Sequence, residues 1–360
     1  MITLYRSSAT KRIAADLGVE KLREAQKKAL HSIYEGRDVL AIMPTAGGKS
    51  LLYQVPAIYE QRNQLGLTIV CSPLLALQRN QVEFLRKHDI PAVLLNSSLS
   101  QKERKKAFDN LNEFPLLYVT PEQLRSKDLR QALKSVRVLR VVIDEAHMLP
   151  QATPTFRPAY GEIGEFIQEL SSPVQIMALT ATATPEDRGY IINALGMENP
   201  EIFRSPIRRE NLHLYVKRIA PLNGEGNMEA RLTDNFAQAV TDELTEWNGK
   251  GRAIVYAPFK KRAKAIRKWL KASGFKGVGL YTGDCNDKKR HKAMKRFQSG
   301  EIRVMVATSA FGLGINFPNV RLVIHAGLPF SMDEYAQECG RGSRDGKKAR
   351  CVLFFSDKDL

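Results

Sequence analysis

The stretch DVLAIMPTAGGKS, residues 38–50, decides the fold of this chain. Its first part, DVLAI (38–42), is a continuous apolar run, which predicts a strand buried on both faces. Its second part, MPTAGGKS (43–50), is a glycine-rich turn that leads into a helical stretch. Such a turn directs backbone N–H groups at the start of a helix toward an anion. The stretch therefore predicts an α/β unit with a phosphate-binding loop.

Apolar runs of the same kind recur along the chain, between helix-length amphipathic segments. The first half contains LTIVCS (67–72), AVLLN (92–96), LLYVT (116–120), LRVVIDE (139–145) and VQIMALT (174–180). The second half contains RAIVYA (252–257), VGLYTG (278–283), RVMVAT (303–308), RLVIHA (321–326) and CVLFF (351–355). This alternation predicts parallel sheets with helices on both faces. We expect an α/β fold with two tandem domains, 1–207 and 208–360, joined by a connector of little periodicity at roughly 205–235.

Length and composition limit the class of protein. The 360 residues exceed the usual single-domain size of roughly 100–200 residues. The chain has no apolar run of membrane-spanning length and no signal peptide, so we expect cytoplasmic residence, on the nucleoid in a bacterium or in the nucleus in a eukaryote. Its four cysteines are scattered without metal-ligand spacing, so we expect neither a disulfide framework nor zinc.

The charge balance indicates a polyanionic partner. The chain has 55 Lys and Arg against 38 Asp and Glu, a net charge of +17. The electrostatic field of a protein with this positive charge concentrates nucleic acid at its surface. A basic protein without that partner is the alternative, because charge governs association and not fold.

Lys49 and Ser50 are the residues of the glycine-rich turn that carry chemistry. In a phosphate-binding loop the lysine reaches the β- and γ-phosphates and the serine hydroxyl binds Mg²⁺. Met43 stands where the strict pattern has glycine. The alternative is a glycine-rich turn beside a surface lysine.

VVIDEAH (141–147) places two carboxylates at the end of another buried strand. Ligands bind at this edge of open α/β sheets. There Asp144 would hold Mg²⁺ and Glu145 would orient and activate the attacking water. Without other motifs, an Asp-Glu pair after a strand usually marks only the solvent-exposed start of a helix. Together with the Gly-Lys-Ser turn, it predicts phosphoryl transfer from ATP with Mg²⁺.

Arg341 and Arg344 in QECGRGSRDG (337–346) are three residues apart, so both can face one way from a helix. Arginines supplied by another domain stabilise charge that develops on the γ-phosphate. Two exposed arginines in a basic protein are the alternative, which the preceding motifs disfavour.

In this order and spacing, the motifs resemble those of superfamily 2 helicases, and most closely those of RecQ-like DNA helicases. Further matches are LREAQ (22–26), CSPLLALQRNQ (71–81), LYVTPEQL (117–124), LTATAT (179–184) and ATSAFGLGINFPNV (307–320). RRENL (208–212) resembles the family's start of the second domain. The resemblance covers nearly the whole chain. It implies two RecA-like domains, each a mostly parallel sheet flanked by helices, with ATP in the cleft between them.

The resemblance also implies two sets of site residues. In the nucleotide set, Gln26 contacts the adenine base and Arg23 stacks on it, and the other members are Thr45, Ala46, Gly47, Gly48, Lys49, Ser50, Gly314 and Gln337. The strand-binding set grips DNA phosphates through backbone N–H and hydroxyl groups, and it comprises Ser72, Pro73, Leu74, Thr120, Glu122, Phe156, Arg157, Tyr281, Thr282, Gly283 and Thr308. Thr180 and Thr182 would couple hydrolysis to domain movement. The motif that links the DNA grip to the nucleotide cleft contains Ser309, Gly312, Gly314 and Asn316. Ordinary turn chemistry is the alternative for each residue singly.

Two departures from the family pattern concern DNA. The family's aromatic-rich loop carries Trp, His and Asp before a Phe-Arg-Pro, whereas MLPQATPTFRPAY (148–160) has Ala152, Pro154 and Thr155 there. We therefore expect weak or differently triggered DNA stimulation. Longer members also carry zinc-binding and winged-helix modules that these residues do not contain, so we expect accessory subunits to supply those functions.

The sequence thus predicts an ATP- and Mg²⁺-dependent helicase or translocase that moves 3′ to 5′ on single-stranded DNA, with partly duplex DNA as a further partner. DNA repair and recombination are associations of the family. An RNA helicase is one alternative, because the ATPase chemistry is shared. A DNA-stimulated ATPase switch within a larger complex, with little unwinding of its own, is another.

Overall fold

The structure is a computed structural model that describes residues 2–44, 47–73, 75–95, 99–153, 157–204, 209–219, 228–311, 317 and 319–359. The chain forms two compact units, Met1–Ile207 and Arg208–Leu360. Each unit has its own sheet and its own apolar core.

The first unit is built on a seven-stranded parallel sheet with the order β3-β4-β2-β5-β6-β1-β7. Its strands are β1 Val39–Ile42, β2 Leu67–Cys71, β3 Ala92–Leu94, β4 Leu116–Val119, β5 Val138–Asp144, β6 Gln175–Thr180 and β7 Glu201–Arg204. Its helices are α1 Ile2–Asp16, α2 Glu24–Tyr34, α3 Leu51–Arg62, α4 Leu75–Lys87, α5 Gln101–Asp109, α6 Lys127–Leu133, α7 Ile163–Gln168 and α8 Pro185–Leu195.

Strand β1 shows why the apolar runs contain no polar face. Leu40 and Ile42 pack into the core on one side of the sheet, and Val39 and Ala41 pack into the core on the other side. Successive side chains of a strand point to opposite faces, so a strand covered on both faces needs apolar residues at every position. The buried position of β1 fixes the start of the glycine-rich turn that follows it.

The second unit is built on a six-stranded parallel sheet with the order β10-β11-β9-β12-β13-β8. Its strands are β8 Leu212–Arg218, β9 Arg252–Tyr256, β10 Val278–Tyr281, β11 Val304–Ala307, β12 Val320–Ala326 and β13 Ala349–Phe355. Its helices are α9 Met228–Trp247, α10 Lys260–Ala272, α11 Asp287–Ser299 and α12 Met332–Cys339.

The predicted α/β fold with parallel sheets is confirmed, but the predicted connector at 205–235 is wrong in part. Strand β8 lies inside it, and α9 already begins at Met228. β8 is an edge strand that pairs with β13 alone, and Leu214 and Val216 are 58% and 63% exposed. Because an edge strand is not covered on both faces, its sequence, LHLYVKR, lacks the continuous apolar run by which the other strands are recognised. The edge strand β7 of the first unit was missed for the same reason.

Among the described residues, no helix combines the length and the apolar character that crossing a membrane requires.

Candidate functional site

The glycine-rich turn connects β1 to α3 and requires glycine at two described positions. Gly48 has a backbone φ of +80°, and a Cβ there would lie 2.2 Å from Gln26 Nε2. A Cβ on Gly47 would lie 2.8 Å from the Pro44 carbonyl oxygen. Only glycine adopts such a φ freely and tolerates such close approach. The predicted residues Thr45 and Ala46 of this turn lie outside the described residues.

Gln26 lies directly against this turn. Its side chain is buried, and its Nε2 donates to the carbonyl oxygens of Gly47 at 3.3 Å and Gly48 at 3.4 Å. Its Oε1 accepts a hydrogen bond of 2.9 Å from the backbone N–H of Arg23. The two residues predicted to recognise adenine are therefore joined to each other and, through Gln26, to the glycine-rich turn.

Two carboxylates lie at the end of β5, which runs through the middle of the sheet. Asp144 is 8% exposed, and its Oδ1 accepts a hydrogen bond of 3.0 Å from the backbone N–H of Glu145. Burial, and next the carboxylate of Glu145, raise the pKa of Asp144, and the ammonium of Lys49 opposes this rise. The structure thus brings Lys49, Asp144 and Glu145 into one electrostatic neighbourhood, although they are far apart in sequence.

Glu145 has a left-handed backbone conformation, with a φ of 55°. Non-glycine residues rarely adopt it, and such strained residues cluster at functional sites. Its Oε2 is buried, accepts no hydrogen bond from the described residues and lies 3.4 Å from His147 Nδ1. This geometry leaves a carboxylate oxygen able to accept a hydrogen bond from a ligand or from water.

A short polar chain connects these carboxylates to the end of β6. His147 Nδ1 lies 3.1 Å from Thr180 Oγ1, and Thr180 Oγ1 donates to the carbonyl oxygen of Thr182 at 2.8 Å. Thr180 and Thr182 were predicted to couple hydrolysis to movement. The structure places both of them next to the carboxylate site, in line with such a role.

The donors present suit a magnesium–nucleotide complex rather than a protein-only metal site. Among the described residues, no group of three or more His, Cys, Asp or Glu side chains could hold a metal ion. Mg²⁺ at phosphate sites is bound by one or two carboxylates together with phosphate oxygens and water. Asp144, and Ser50 at the start of α3, are oxygen donors of the kind that would supply that smaller protein share.

Four of the predicted strand-binding residues of the first unit lie at the same sheet edge as the carboxylates. Ser72 and Pro73 follow β2, and Thr120 and Glu122 follow β4, its neighbour. Gln78, which was not predicted, joins the two loops, since its Nε2 donates to the carbonyl oxygens of Ser72 and Val119 at 2.7 and 2.6 Å. Arg157 lies outside these two loops and has a left-handed φ of 51°. The predicted residues Leu74 and Phe156 lie outside the described residues.

In the second unit, the predicted strand-binding residues follow β10 and β11. Tyr281, Thr282 and Gly283 are at the end of β10, and Thr308 follows β11. The backbone N–H of Thr308 donates to the carbonyl oxygen of Tyr281 at 3.2 Å, which holds the two loops together. Ser309 follows Thr308 in the loop after β11. The residues Gly312, Gly314 and Asn316 lie outside the described residues.

The prediction that Arg341 and Arg344 face one way from a helix is wrong. Helix α12 carries Gln337 but ends at Cys339, and the arginines lie in the turns that follow. Ser343 between them has a φ of 47°, which a helix cannot contain. The two arginines are nevertheless close enough to interact electrostatically. Burial lowers the pKa of Arg344 most, the charge of Arg341 lowers it next, and the charge of Arg209 lowers it further.

Two residues that were not predicted as site residues hold this arginine segment in place. Arg209 Nη1 donates to the carbonyl oxygen of Gly340 at 3.0 Å. Asn211 Nδ2 donates to the carbonyl oxygens of Ser343 at 3.0 Å and Lys347 at 2.9 Å. Both belong to RRENL (208–212), which the sequence indicated only as a domain start. No local signal could reveal contacts with partners more than 130 residues away.

Two family descriptions match the chain, one in each unit. Residues 23–188 match the DEAD/DEAH box helicase family. Residues 236–346 match the helicase conserved C-terminal domain. Together the two matches include most of the predicted site residues.

Curated relatives match over nearly the full chain. The ATP-dependent DNA helicase RecQ of Bacillus subtilis (strain 168) is 39% identical over 351 residues, 97% of this chain and 56% of that protein. The RecQ helicase of Synechocystis sp. is 33% identical over 347 residues, 94% of this chain and 69% of that protein. The chain thus spans little more than half the length of the Bacillus protein.

Solved structures match the fold. The DUF1998 helicase MrfA, bound to DNA and AMPPNP, matches with a TM-score of 0.76 at 19% identity. The match covers 97% of this chain and 50% of the MrfA chain. Dbp5 of Saccharomyces cerevisiae, bound to RNA and ADP BeF3, has a TM-score of 0.75 at 18% identity, over 98% of this chain and 88% of its own. The likeness extends to DEAD-box helicases such as Mss116, with a TM-score of 0.73. These likenesses confirm the predicted RecA-like fold of the two units.

Proposed function

Because this chain belongs to the RecQ family of ATP-dependent DNA helicases, we propose that it couples ATP hydrolysis to movement along single-stranded DNA. The observation that carries the proposal is the convergence of Lys49, Asp144 and Glu145 at one sheet edge, where the ammonium of Lys49 opposes the rise in the pKa of Asp144. Paired carboxylates beside a lysine and a glycine-rich helix start are the protein groups that phosphoryl transfer requires.

We assign one role to each of these groups. When bound, ATP with Mg²⁺ supplies an electrophilic γ-phosphate whose charge is partly neutralised. Lys49 would bind its phosphate oxygens, Ser50 and Asp144 would hold the metal, and Glu145 would orient the attacking water and accept its proton. The strained backbone of Glu145 fixes the direction of its carboxylate, so little reorganisation precedes the reaction.

Arg341 and Arg344 are proposed to stabilise the negative charge of the transferred phosphoryl group. Arg341 is 6% exposed. Burial lowers the pKa of Arg344 most, and the charges of Arg341 and Arg209 lower it further. Buried cations that repel each other are stabilised more by an incoming anion than isolated cations are, because the anion offsets their repulsion. Supplying them from the second unit would make hydrolysis depend on both units.

DNA is proposed as the track because the relatives above are named DNA helicases. Movement from 3′ to 5′ follows from the family resemblance. Among the structural neighbours, Dbp5 was solved with RNA, so an RNA-stimulated enzyme remains the alternative to be tested. Because the chain covers 56% of the Bacillus protein, we propose that unwinding of duplex DNA draws on further segments or subunits.

Steady-state ATP hydrolysis by the full chain tests the proposal. The rate would be measured with Mg²⁺ alone and with single-stranded DNA, duplex DNA or RNA added. We expect the largest stimulation with single-stranded DNA, and a loss of about 10³-fold in Glu145→Gln because general-base catalysis is removed. Glu186→Gln, which alters an exposed carboxylate at the start of α8, is the matched control and should leave the rate unchanged.

The outcomes are distinct. Equal rates in Glu145→Gln and in the unsubstituted chain would remove the assigned chemistry. Stimulation by RNA and not by DNA would replace the proposed track. Hydrolysis that no nucleic acid stimulates would favour the switch alternative, in which a partner completes the motor.

A further inference from the structure

Two phenylalanines of the second unit are exposed side by side. Phe259 precedes α10 and is 54% exposed, and Phe330 precedes α12 and is 72% exposed. Their ring centroids are 6.1 Å apart with an interplanar angle of 81°. Phe236, Phe297 and Phe311 of the same unit are fully buried instead. The pair therefore leaves aromatic faces open to solvent.

The start of α10 does not favour phenylalanine as a capping residue, although the Arg262 guanidinium lies 5.8 Å from the centroid of the Phe259 ring. Phe259 is the N-cap of α10 and makes no side-chain cap hydrogen bond, although helix starts prefer Ser, Thr, Asp or Asn. Its exposed ring adds little to the core. A residue that breaks a local preference without a gain in packing is a candidate for function.

The backbone around Phe330 is held firmly although its ring is exposed. Its N–H donates to Glu334 Oε2 at 2.9 Å, and Ser331 Oγ accepts a hydrogen bond of 3.1 Å from the N–H of Glu334. These bonds fix the chain at the start of α12. The ring is therefore presented from a supported position, which lowers the entropy cost of binding.

The pair adjoins the residues proposed to bind the DNA strand. Phe330 lines a small pocket together with Ser309, next to Thr308. A Cβ on Gly283 would lie 3.8 Å from Lys260 Cε, so the residue after Phe259 reaches the loop that follows β10. The rings thus continue the surface formed by the ends of β10 and β11.

The charge around the pair suits a nucleic acid strand. Lys260 and Lys261 in the first turn of α10 are both exposed. Of the acidic neighbours, Asp284 is paired with Lys264 at 2.6 Å, and Glu334 Oε2 accepts the backbone N–H of Phe330. The two exposed lysines are the cations beside the pair that a passing phosphate can contact.

We propose that Phe259 and Phe330 form a stacking platform for one base of the bound strand, with Lys260 and Lys261 beside its phosphates. Every base has a π-face, so aromatic stacking grips a strand without reading its sequence. This inference rests on the proposed function and adds a base contact to a surface otherwise made of phosphate contacts. Because the platform is small and basic, a nucleobase suits it better than an apolar protein surface.

Binding of a fluorescently labelled oligothymidine to the full chain, measured by anisotropy, tests the platform. We expect Phe330→Ala and the double variant Phe259→Ala, Phe330→Ala to bind about 10-fold more weakly, because base stacking is lost. Phe330→Trp should retain affinity and Phe330→Leu should not, since leucine keeps apolar area but has no ring. Met332→Ala, which removes a neighbouring side chain that is 78% exposed but not aromatic, is the matched control.

An oligonucleotide with a single abasic site, moved along the strand, provides the sharper test. The unsubstituted chain should lose affinity when the missing base coincides with the platform, whereas the double variant should show no loss at that position. Thermal unfolding of each variant shows whether its fold is intact.

Failure of the platform and failure of the proposed function can be told apart. If the unsubstituted chain binds single-stranded DNA and the double variant binds it equally well, the platform is overturned and the proposed function stands. If leucine serves as well as tryptophan, the patch is an apolar docking surface and not a base platform. If the unsubstituted chain does not bind single-stranded DNA at all, the proposed function fails first.

Discussion

Strand β5 carries a buried charge at each end, and the two ends are surrounded differently. At its start, Arg140 is 2% exposed, and its guanidinium donates two hydrogen bonds to Glu60, at 2.9 and 2.8 Å. Its Nε also donates to Gln175 at 2.5 Å, and Nη1 lies 3.3 Å from Thr68 Oγ1. Every donor group of this guanidinium therefore has a partner within the fold.

The end of β5 is the opposite case. Asp144 lies beside a second carboxylate, Glu145, and its pKa is raised, with Lys49 as the opposing cation. Buried charges that are fully hydrogen-bonded belong to the structure, whereas like charges held together at a ligand-binding edge are the mark of a functional site. The charge near the start of β5 therefore stabilises the fold, whereas the charge at its end belongs to the candidate site.

The largest expected effect is on activity at the carboxylate end. Lys49→Ala should lower the rate of ATP hydrolysis by about 10³-fold, because a preorganised cation on the phosphates is lost. The free energy of unfolding should change by at most about 1 kcal/mol, since Lys49 has no hydrogen bond or ion pair with the part of the chain that the structure describes. Hydrolysis and chemical denaturation measured on one preparation check both statements, with Lys28→Ala, an exposed lysine of α2, as control. A large loss of stability would break the comparison.

The next effect is on stability at the start of β5. Glu60→Ala should lower the free energy of unfolding of the first unit by about 3 kcal/mol, because it leaves the charge of Arg140 buried without its carboxylate. Denaturant titration followed by circular dichroism measures this change. Glu35→Ala breaks an exposed ion pair with Arg37 and should cost no more than about 0.5 kcal/mol. Similar losses in both variants would mean that burial of the Arg140 pair is not what matters.

The smallest effect extends the comparison to the second unit. Arg209→Ala should lower kcat for ATP hydrolysis by about 10-fold with little change in KM, because misplaced arginines lose transition-state contacts more than ground-state contacts. Arg209→Lys should restore little, since lysine cannot bond the carbonyl groups of both Gly340 and Ser343 in the same fork geometry. Arg218→Ala, which removes an exposed partner of Asp357, is the control. A change confined to KM would make Arg209 a binding residue instead of a positioning residue.

Much of the fold could be predicted because burial leaves its mark on sequence. The runs around β1, β2, β5 and β6 are mostly apolar and almost entirely buried, since both faces of these strands are covered. The edge strand β8 could not be recognised in this way, because its solvent-exposed positions tolerate polar residues. The candidate site also contains one part that local sequence predicts and one part that it does not. Asp144 and Glu145 were predicted because they end an apolar run, whereas no local pattern predicted the contact of Gln26 with Gly47 and Gly48.

The sequence by itself determined the two α/β units, the glycine-rich turn and the pair of carboxylates, because strand burial, glycine conformation and strand ends are local properties of the chain. Only the tertiary structure decided that Arg341 and Arg344 lie beyond the end of α12, that Arg209 and Asn211 hold their segment, and that Phe259 and Phe330 meet at the surface. The last two of these arrangements join residues 70 or more positions apart. No short-range pattern encodes them, because such contacts form only when whole elements pack together.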